Sequence, residues 1–305
     1  MVRHVAAGID GSSESLAAAH WAAREAARRG SALELVHAWE WRPDPSVSVP
    51  VDGARQDWAE RALARVAAGV RAAHPGLDVG ERLVEEDPVT VLLAAADEAE
   101  LLVLGSRGLT GVAGFVVGSV SQRVVARSGR PVVLVRAGAD AAAEHLPAVD
   151  GVSPEEIPEV PYRDVVLGLD AGAPGDETVF SDELIGFAFE AAHRRGAPLR
   201  VVHAFGGGAE RPDPAPSSGA GLLADHTHAV AAALRPWREK WPDTTVAETV
   251  TEGRPADELV RAAAGAGLLV VGRRERGGGP GPRLGPVAHA VLHHAACPVA
   301  VVPHS

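Results

Sequence analysis

The stretch Gly105-Ser-Arg-Gly-Leu-Thr-Gly-Val-Ala-Gly-Phe-Val-Val-Gly-Ser119 decides the fold of this chain. It follows the apolar run 101–104 and precedes a helical pattern over 120–128. A buried strand therefore ends in a glycine-rich loop, and the loop opens a helix. Glycines let the backbone approach a ligand closely, and a helix N-terminus offers N–H groups and a positive dipole end to an anion. The stretch predicts a phosphate-binding loop.

The same pattern recurs in the second half of the chain. The segment Val-Ala-Ala-Gly-Ile-Asp10 returns as Val-Val-Leu-Gly-Leu-Asp170, and Leu-Glu-Leu-Val-His-Ala-Trp39 returns as Leu-Arg-Val-Val-His-Ala-Phe205. A chain of 305 residues is long enough for two domains. We therefore predict one domain over 1–138, an exposed Pro- and Glu-containing linker over 139–161, and a second copy over 162–305.

Short apolar runs alternate with longer helical patterns in each copy, which indicates βαβ units and a parallel sheet. The fold class is α/β, with two tandem Rossmann-like domains. Gly30 suits a helix C-cap. In such sheets ligands bind beyond the carboxyl ends of the strands, where strand order reverses. In the first copy we predict strands near 5–9, 32–38, 78–84, 101–104 and 132–136, and helices near 13–29, 54–73, 88–98 and 119–127.

Composition narrows the class of partner. The net charge of −11 and the single lysine, Lys240, argue against a nucleic-acid surface, which needs basic residues to meet phosphates. Cys297 is the only cysteine, so an intrachain disulfide is impossible and a reducing, cytoplasmic location is expected. The N-terminus resembles a strand rather than a signal peptide, and no apolar run predicts a membrane helix.

Two familiar phosphate motifs do not fit the glycine-rich loop. The P-loop motif requires a lysine beside the glycines, and the dinucleotide motif requires G-x-G-x-x-G spacing. The loop instead reads G-x2-G-x9-G-S, with Asp10 after the first strand and Arg-Pro-Val-Val-Leu-Val near the end of the first copy. In this combination the chain resembles the ATP-binding subgroup of the universal stress protein family, over both halves.

The resemblance implies specific roles. Each domain would be an adenine nucleotide alpha hydrolase-like, open parallel sheet in the order 3-2-1-4-5. The last strands of two domains would pair as an internal pseudo-dimer, with a further homodimer as an option. ATP would bind the first copy, with Mg²⁺ bridging its phosphates. Its site residues would be Ile9, Asp10, Gly11, Ser12, Ala38, Gly105, Arg107, Gly108, Gly118, Ser119, Val120 and Ser121.

The second copy departs from the motif. Glu275 replaces Gly108 and would repel phosphate, and Pro286 replaces Ser119, which removes an N–H and a hydroxyl donor. The nearby arginines could offset this loss. Weaker binding, arginine-assisted binding and a purely structural role all stay open there. The corresponding site residues would be Asp170, Ala204, Gly272, Arg273, Arg274, Gly285 and Val287.

Other candidate groups have simpler explanations. His289 and His293 have metal-ligand spacing but no accompanying acid or cysteine at zinc-protease spacing, which favours an ordinary helix face. His37 and His203 follow equivalent strands and favour a structural or pocket-lining role. Trp58 is expected to cover the pocket or an interface.

The sequence therefore predicts an ATP-binding stress-response regulator that acts through unidentified protein partners. Efficient phosphoryl transfer would be indicated by a lysine at the phosphates or by a nucleophile–base pair. The sequence shows neither, so we expect that this protein is not an enzyme. The alternatives are a slow ATPase or autokinase with Ser119 or Ser121 as acceptor, and an interaction scaffold without nucleotide. An isolated glycine loop could also be no more than flexible surface.

Overall fold

A computed structural model describes residues 4–39, 52–106, 118–146, 160–170, 180–206, 219–274 and 284–304. For 52–55 and 219–220 the backbone alone is described. The described residues form two compact units, unit 1 up to Ala141 and unit 2 from Ala142 onward. None of the helices in these ranges is long and apolar enough to cross a membrane.

Unit 1 is a parallel sheet with the strand order β3-β2-β1-β4-β5. Its order matches the predicted 3-2-1-4-5 arrangement, and the predicted fold class is confirmed. Its elements are β1 His4–Gly8, α1 Ser13–Arg29, β2 Ala32–Trp39, α2 Asp52–Ala73, β3 Val79–Glu85, α3 Pro88–Glu98, β4 Leu101–Ser106, α4 Ser119–Arg127 and β5 Val132–Arg136.

Unit 2 repeats this topology with the order β8-β7-β6-β9-β10. It is the same fold built from a diverged sequence. Its elements are β6 Val165–Leu169, α5 Asp182–Arg195, β7 Leu199–Phe205, α6 Gly219–Lys240, β8 Val246–Glu252, α7 Pro255–Ala263, β9 Leu268–Arg274, α8 Pro286–His294 and β10 Val299–His304.

Small side chains let helix α1 lie close to its sheet. Five of its alanines have no exposed surface, and the strands beneath them are apolar on both faces, as buried parallel strands are. The Ser12 hydroxyl caps the helix by accepting the Ser15 N–H at 3.1 Å. Gly30 ends it in the left-handed conformation with φ 63°, which confirms the predicted C-cap. The buried alanines are Ala18, Ala19, Ala22, Ala23 and Ala26.

The two central strands at the candidate sites are longer than predicted. Gly105 and Ser106 continue the β4 ladder opposite Val135 and Arg136, instead of beginning the loop. In unit 2, Arg273 and Arg274 likewise continue β9. The backbone hydrogen bonds to the neighbouring last strand extend these strands, because a glycine in an otherwise paired strand does not end the pairing.

The described ends of the predicted linker pack against each other within unit 2. Residues Ala142–Glu144 form a short 3₁₀ helix, and Glu144 is buried. The Leu146 N–H donates to the Pro161 carbonyl at 2.9 Å, and the Arg163 N–H donates to Glu144 at 2.9 Å. Backbone pairing therefore ties the described residues 142–146 to those at 160–163, and both groups belong to unit 2.

Candidate functional site

The carboxyl ends of β1 and β4 form the crevice at which strand order reverses in unit 1. A cavity of about 160 Å³ lies there. Its wall contains seven of the predicted residues and one acidic residue, Glu14, that the sequence did not single out. The eight lining residues are Asp10, Ser12, Glu14, Gly105, Gly118, Ser119, Val120 and Ser121.

One wall of the cavity is the turn after β1. Gly11 adopts φ 80°, which an L side chain rarely takes. The Asp10 carboxylate accepts the N–H of Ser12 at 3.0 Å and its hydroxyl at 2.5 Å. The Glu14 carboxylate accepts the Ser13 hydroxyl at 3.0 Å. Two acidic residues, each hydrogen-bonded to a neighbouring serine, are therefore among the residues that line this crevice.

The opposite wall is the start of helix α4. Gly118 is its N-cap and supplies no side-chain cap, and the first helical bond runs from Gln122 N–H to the Gly118 carbonyl at 2.9 Å. The first N–H groups of a helix have no intrahelical acceptor. The N–H groups of Ser119, Val120 and Ser121 are therefore the donors that this wall can offer to an anion.

Glycine at position 105 is required by packing. A Cβ atom there would lie 2.7 Å from the Glu14 carbonyl carbon and 2.8 Å from the Ser15 nitrogen. The Gly105 carbonyl also accepts the Ser121 hydroxyl at 3.1 Å. Gly105 thus packs against the first turn of α1 and accepts a hydrogen bond from the first turn of α4. These two contacts hold the two walls of the cavity close together.

The predicted base-binding residues lie beside the cavity, outside its wall. Ile9 is buried just after β1, and Ala38 lies in β2 beside His37. The Trp58 ring lies edge-on to His37 with centroids 6.1 Å apart, and its Cη2 lies 3.1 Å from where a Cβ on Gly11 would be. Burial lowers the pKa of His37, against the opposing effects of the Asp10 charge and the Ile9 carbonyl. Ile9, Ala38 and Trp58 form a largely apolar surface beside the cavity, which we name the base shelf.

Some predicted site residues lie outside the described residues. In unit 1 these are Arg107 and Gly108, and in unit 2 they include Glu275 and the arginines at 276 and 283. Their predicted contacts with phosphate stay predictions.

The equivalent crevice of unit 2 keeps the backbone plan but is filled differently. Asp170 follows β6, and Gly285 is the N-cap of α8, with Pro286 and Val287 in its first turn. A Cβ on Gly272 would lie 2.6 Å from His304 Nε2 and 3.1 Å from Leu184 Cδ2. The His304 side chain therefore lies over Gly272, where unit 1 has the first turn of α1.

Arg273 was predicted to face phosphate from a loop. It is instead a strand residue, only 6% exposed, opposite Pro303. Arg274, the last residue of β9, is exposed and lies opposite His304 in the strand register. The longer strand explains the difference, because alternate residues along it point to opposite faces.

Two histidines form a hydrogen-bonded chain beside Ala204, which is itself buried. His203 Nδ1 lies 3.0 Å from the Leu169 carbonyl, and its Nε2 lies 3.0 Å from His226 Nδ1. A carbonyl only accepts, so in the neutral pair His203 donates to Leu169 and accepts from His226. Phe205 stacks on His226 with centroids 4.1 Å apart. Burial is the main cause that lowers the pKa of His226, followed by the charge of His203.

Metal-ligand clusters are missing from the described ranges, where no three His, Cys, Asp or Glu side chains lie close enough to hold an ion. The His289 and His293 rings pack with centroids 4.5 Å apart on α8. Cys297 is buried.

Comparisons with known proteins give the family. The model of the universal stress protein family matches residues 1–136 and 161–303. A universal stress protein of Mycobacterium tuberculosis is 36% identical over 311 residues, which cover 99% of this chain and 97% of that protein. A universal stress protein structure from Archaeoglobus fulgidus covers 99% of this chain and 98% of its own, with 17% identity and a TM-score of 0.65.

A third relative is a universal stress protein solved in complex with cAMP. It matches 45% of this chain and 98% of its own at 32% identity and a TM-score of 0.35. With the family model matched in both halves and a relative of 36% identity along nearly the whole chain, this chain belongs to the universal stress protein family.

Proposed function

We propose that unit 1 binds ATP and that the bound nucleotide regulates the contacts of this protein with partner proteins in a cytoplasmic stress response. The observation that carries the proposal is the cavity at the strand-order reversal, with the α4 N-terminus on one wall and the Asp10 turn on the other. Helix N-terminal N–H groups suit phosphate, and a carboxylate at a strand end suits ribose hydroxyls.

The surrounding residues fit the other parts of ATP. The shelf of Ile9, Ala38 and Trp58 is suited to a planar base. Mg²⁺ prefers phosphate oxygens, waters and one or two carboxylates, and Asp10 and Glu14 are the acidic residues that line the cavity. When bound, Mg²⁺ would supply charge neutralisation at the phosphates.

Binding without efficient turnover is part of the proposal. The hydroxyl of Ser121 is already used as a donor to the Gly105 carbonyl, which makes it a poor acceptor for a phosphoryl group. The competing hypothesis is a slow ATPase or autokinase with Ser119 as acceptor. Incubation of the purified chain with γ-labelled ATP separates the two, because labelled protein or labelled phosphate release that Gly118→Ala abolishes would contradict a purely binding role.

A direct test uses the two matched aspartates. The purified chain is heat-denatured and its released small molecules are analysed, and binding of ATP, AMP and cAMP with Mg²⁺ is measured by calorimetry. We expect ATP binding to be weakened about tenfold or more by Asp10→Asn, because a charge-assisted hydrogen bond is lost. Asp170→Asn should leave the tight site unchanged.

Two results would contradict the proposal. One is the absence of any released adenine nucleotide together with no heat on adding ATP. The other is an equal loss of affinity in Asp10→Asn and Asp170→Asn, which would move the principal site away from unit 1. The stoichiometry of the same titration reports whether unit 2 binds nucleotide at all.

A further inference from the structure

We propose that Phe205 and His203 form a binding site in unit 2 for a planar nitrogen heterocycle that carries an N–H donor. His226 closes this site as an internal substitute for the ligand. The inference goes beyond the proposed function, because it concerns unit 2 and holds whether or not unit 1 binds ATP. It assigns an autoinhibitory contact to a residue that lies outside every motif of the sequence.

The stacking half of the site is the ring of Phe205, at the end of β7. The imidazole of His226, which comes from α6, lies on this ring with centroids 4.1 Å apart and an angle of 16° between the two planes. Aromatic side chains hold planar bases by stacking of this kind. His226 therefore occupies the place on Phe205 that a planar ligand would take.

The polar half of the site is His203, which is only 2% exposed. Its Nδ1 lies 3.0 Å from the Leu169 carbonyl, which only accepts, so Nε2 of the neutral ring is an acceptor. The Phe180 ring lies edge-on to it, with centroids 5.8 Å apart. His226 Nδ1 supplies the donor to Nε2 at 3.0 Å. A heterocycle with an N–H group would satisfy the same acceptor, whereas one without it would leave a buried nitrogen unpaired.

His226 is also the contact that holds the start of α6. Among residues 221–228 its side chain is the only one that is not exposed, and the next buried side chain along the helix is that of Val230. The other side chains of these two turns therefore contribute little burial. A segment with few buried contacts opens locally at a low free-energy cost, so this helix start is where His226 can give way to a ligand.

The experiment measures the binding of imidazole and of N-methylimidazole by NMR titration of the full-length chain, at about pH 8, where both probes are largely neutral. The natural protein is compared with His226→Ala. We expect the variant to bind imidazole at least about tenfold more tightly, because the tethered ring no longer competes for the site. N-methylimidazole has no N–H to donate to His203, so it should bind the variant about five- to tenfold more weakly than imidazole does.

Control variants separate the site from a general effect of the substitution. His228→Ala removes an exposed histidine two residues further along α6 and should bind imidazole as the natural protein does. His226→Phe fills the place on Phe205 again and should also bind no better than the natural protein. Adding Phe205→Leu to His226→Ala should weaken imidazole binding at least about fivefold, because the stacking face is gone.

Thermal unfolding shows whether each variant keeps its fold. Imidazole should raise the melting temperature of unit 2 in His226→Ala and not in the natural protein, a comparison that holds even where the variant is less stable.

Three results would overturn the inference. No gain in imidazole affinity in His226→Ala would show that His226 closes no site. Equal affinity of that variant for the two probes would show an apolar cavity without an acceptor at His203. Imidazole binding that survives the loss of the Phe205 ring would place the site elsewhere. ATP titration of the same proteins reports on unit 1, so the proposed function stands or fails separately.

Discussion

The crevices of unit 1 and unit 2 share a backbone plan and differ in what occupies it. Both have an aspartate after the first strand and a glycine near the end of the fourth strand of the unit. In both, the next helix begins at a glycine N-cap, which supplies no side-chain hydrogen bond. Against Gly105 lies helix backbone, and against Gly272 lies the His304 side chain. The duplicated fold is thus kept by strand packing, whereas the cavity depends on where the helix after the first strand begins.

The base sides of the two crevices differ as well. In unit 1, Trp58 lies over Gly11 and edge-on to His37. In unit 2, His226 lies between a hydrogen bond to His203 and the face of Phe205. A ring from the second helix of the unit covers each shelf. In unit 2 that ring is His226, which is hydrogen-bonded to His203. His226 is therefore less free than Trp58 to move aside for a base.

The largest expected difference between the two crevices is the loss of stability when each of the equivalent glycines, Gly105 and Gly272, is replaced by alanine. Gly105→Ala places a Cβ against backbone atoms of α1, which cannot rotate away, so we expect a loss of about 2 kcal/mol or more in the free energy of unfolding. Gly272→Ala meets mainly the side chain of His304, which can turn, and should cost less than about 1 kcal/mol. Differential scanning calorimetry of both variants makes the measurement, with each unfolding transition fitted separately.

Equal destabilisation by the two alanines would show that the crevices are packed alike and would contradict the comparison. The double variant Gly272→Ala with His304→Ala is the matched control. It should recover most of the small loss, because the side chain that the new Cβ meets is gone.

The next largest expected effect is on ATP affinity, when the first residue of α4 is exchanged for the first residue of α8. Ser119→Pro carries the unit 2 residue into unit 1, where it removes one N–H donor and one hydroxyl from the cavity wall. Proline is tolerated in the first helical turn, as Pro286 shows, so the melting temperature should change little. We expect ATP affinity to fall about tenfold, as measured by calorimetry.

The reverse exchange is the control for this prediction. Pro286→Ser should not create a second tight site, because His304 still lies over Gly272. A rise in stoichiometry on Pro286→Ser alone would show that the missing donors, and not the filled crevice, distinguish the units.

Much of the fold follows from the sequence because it depends on short-range patterns. The apolar runs, the glycine after α1 and the repeated strand motifs placed every strand and helix of unit 1 to within about two residues of the observed bounds. The strand order followed from family resemblance. The ends of β4 and β9 were missed, because the pairing that extends them depends on a neighbouring strand distant in sequence.

The candidate site was predictable where a residue type is distinctive and was missed where only position matters. Asp10, Gly105 and Gly118 belong to a recognisable motif, and the structure brings them to one cavity. Glu14 is an ordinary first-turn acid of a helix, a place where acids are common for dipole reasons alone. Its only signal was its closeness to Ser12, the N-cap of a helix that opens at the strand-order reversal.

The unit 2 crevice shows the same limit from the opposite side. Pro286 and the loop arginines stood out in the sequence because they differ from the motif of the first copy. His304 lies at the end of the last strand, with no motif around it. Its contact with Gly272 depends on the parallel register of β9 and β10 and on the start of α5 at Asp182. Both depend on tertiary packing, which the hydrophobic pattern of a single strand or helix does not reveal.

A smaller effect tests the base shelf. Trp58 is 57% exposed, so Trp58→Ala should change stability by less than about 1 kcal/mol. It should weaken ATP and adenosine by the same factor, about three- to tenfold, because stacking involves the base and not the phosphates. His226→Ala in unit 2 is the matched control, and its tight-site affinity should be unchanged. A loss restricted to ATP would place Trp58 near the phosphates instead.

The smallest effect is a pH dependence that should be steeper for unit 1. Burial is the main cause that lowers the pKa of His20, His37 and His74 in unit 1 and of His226 in unit 2, all from an ordinary value of 6.5. Each histidine is harder to protonate in the folded state than in the unfolded state. Its contribution to stability is therefore complete above about pH 6.5 and is lost as the pH falls from there through the folded-state pKa.

Calorimetry between pH 7.5 and about pH 5 should therefore show the unit 1 transition falling faster than that of unit 2. The lower limit stays above the ordinary carboxylate pKa values of about 3.9 and 4.3, so most carboxylates are still ionised there. His74→Gln should flatten the unit 1 slope, because it removes one group that takes up a proton preferentially in the unfolded state. His294→Gln, at an exposed position on α8, is the control. Parallel slopes for the two transitions would show that the buried histidines do not distinguish the units.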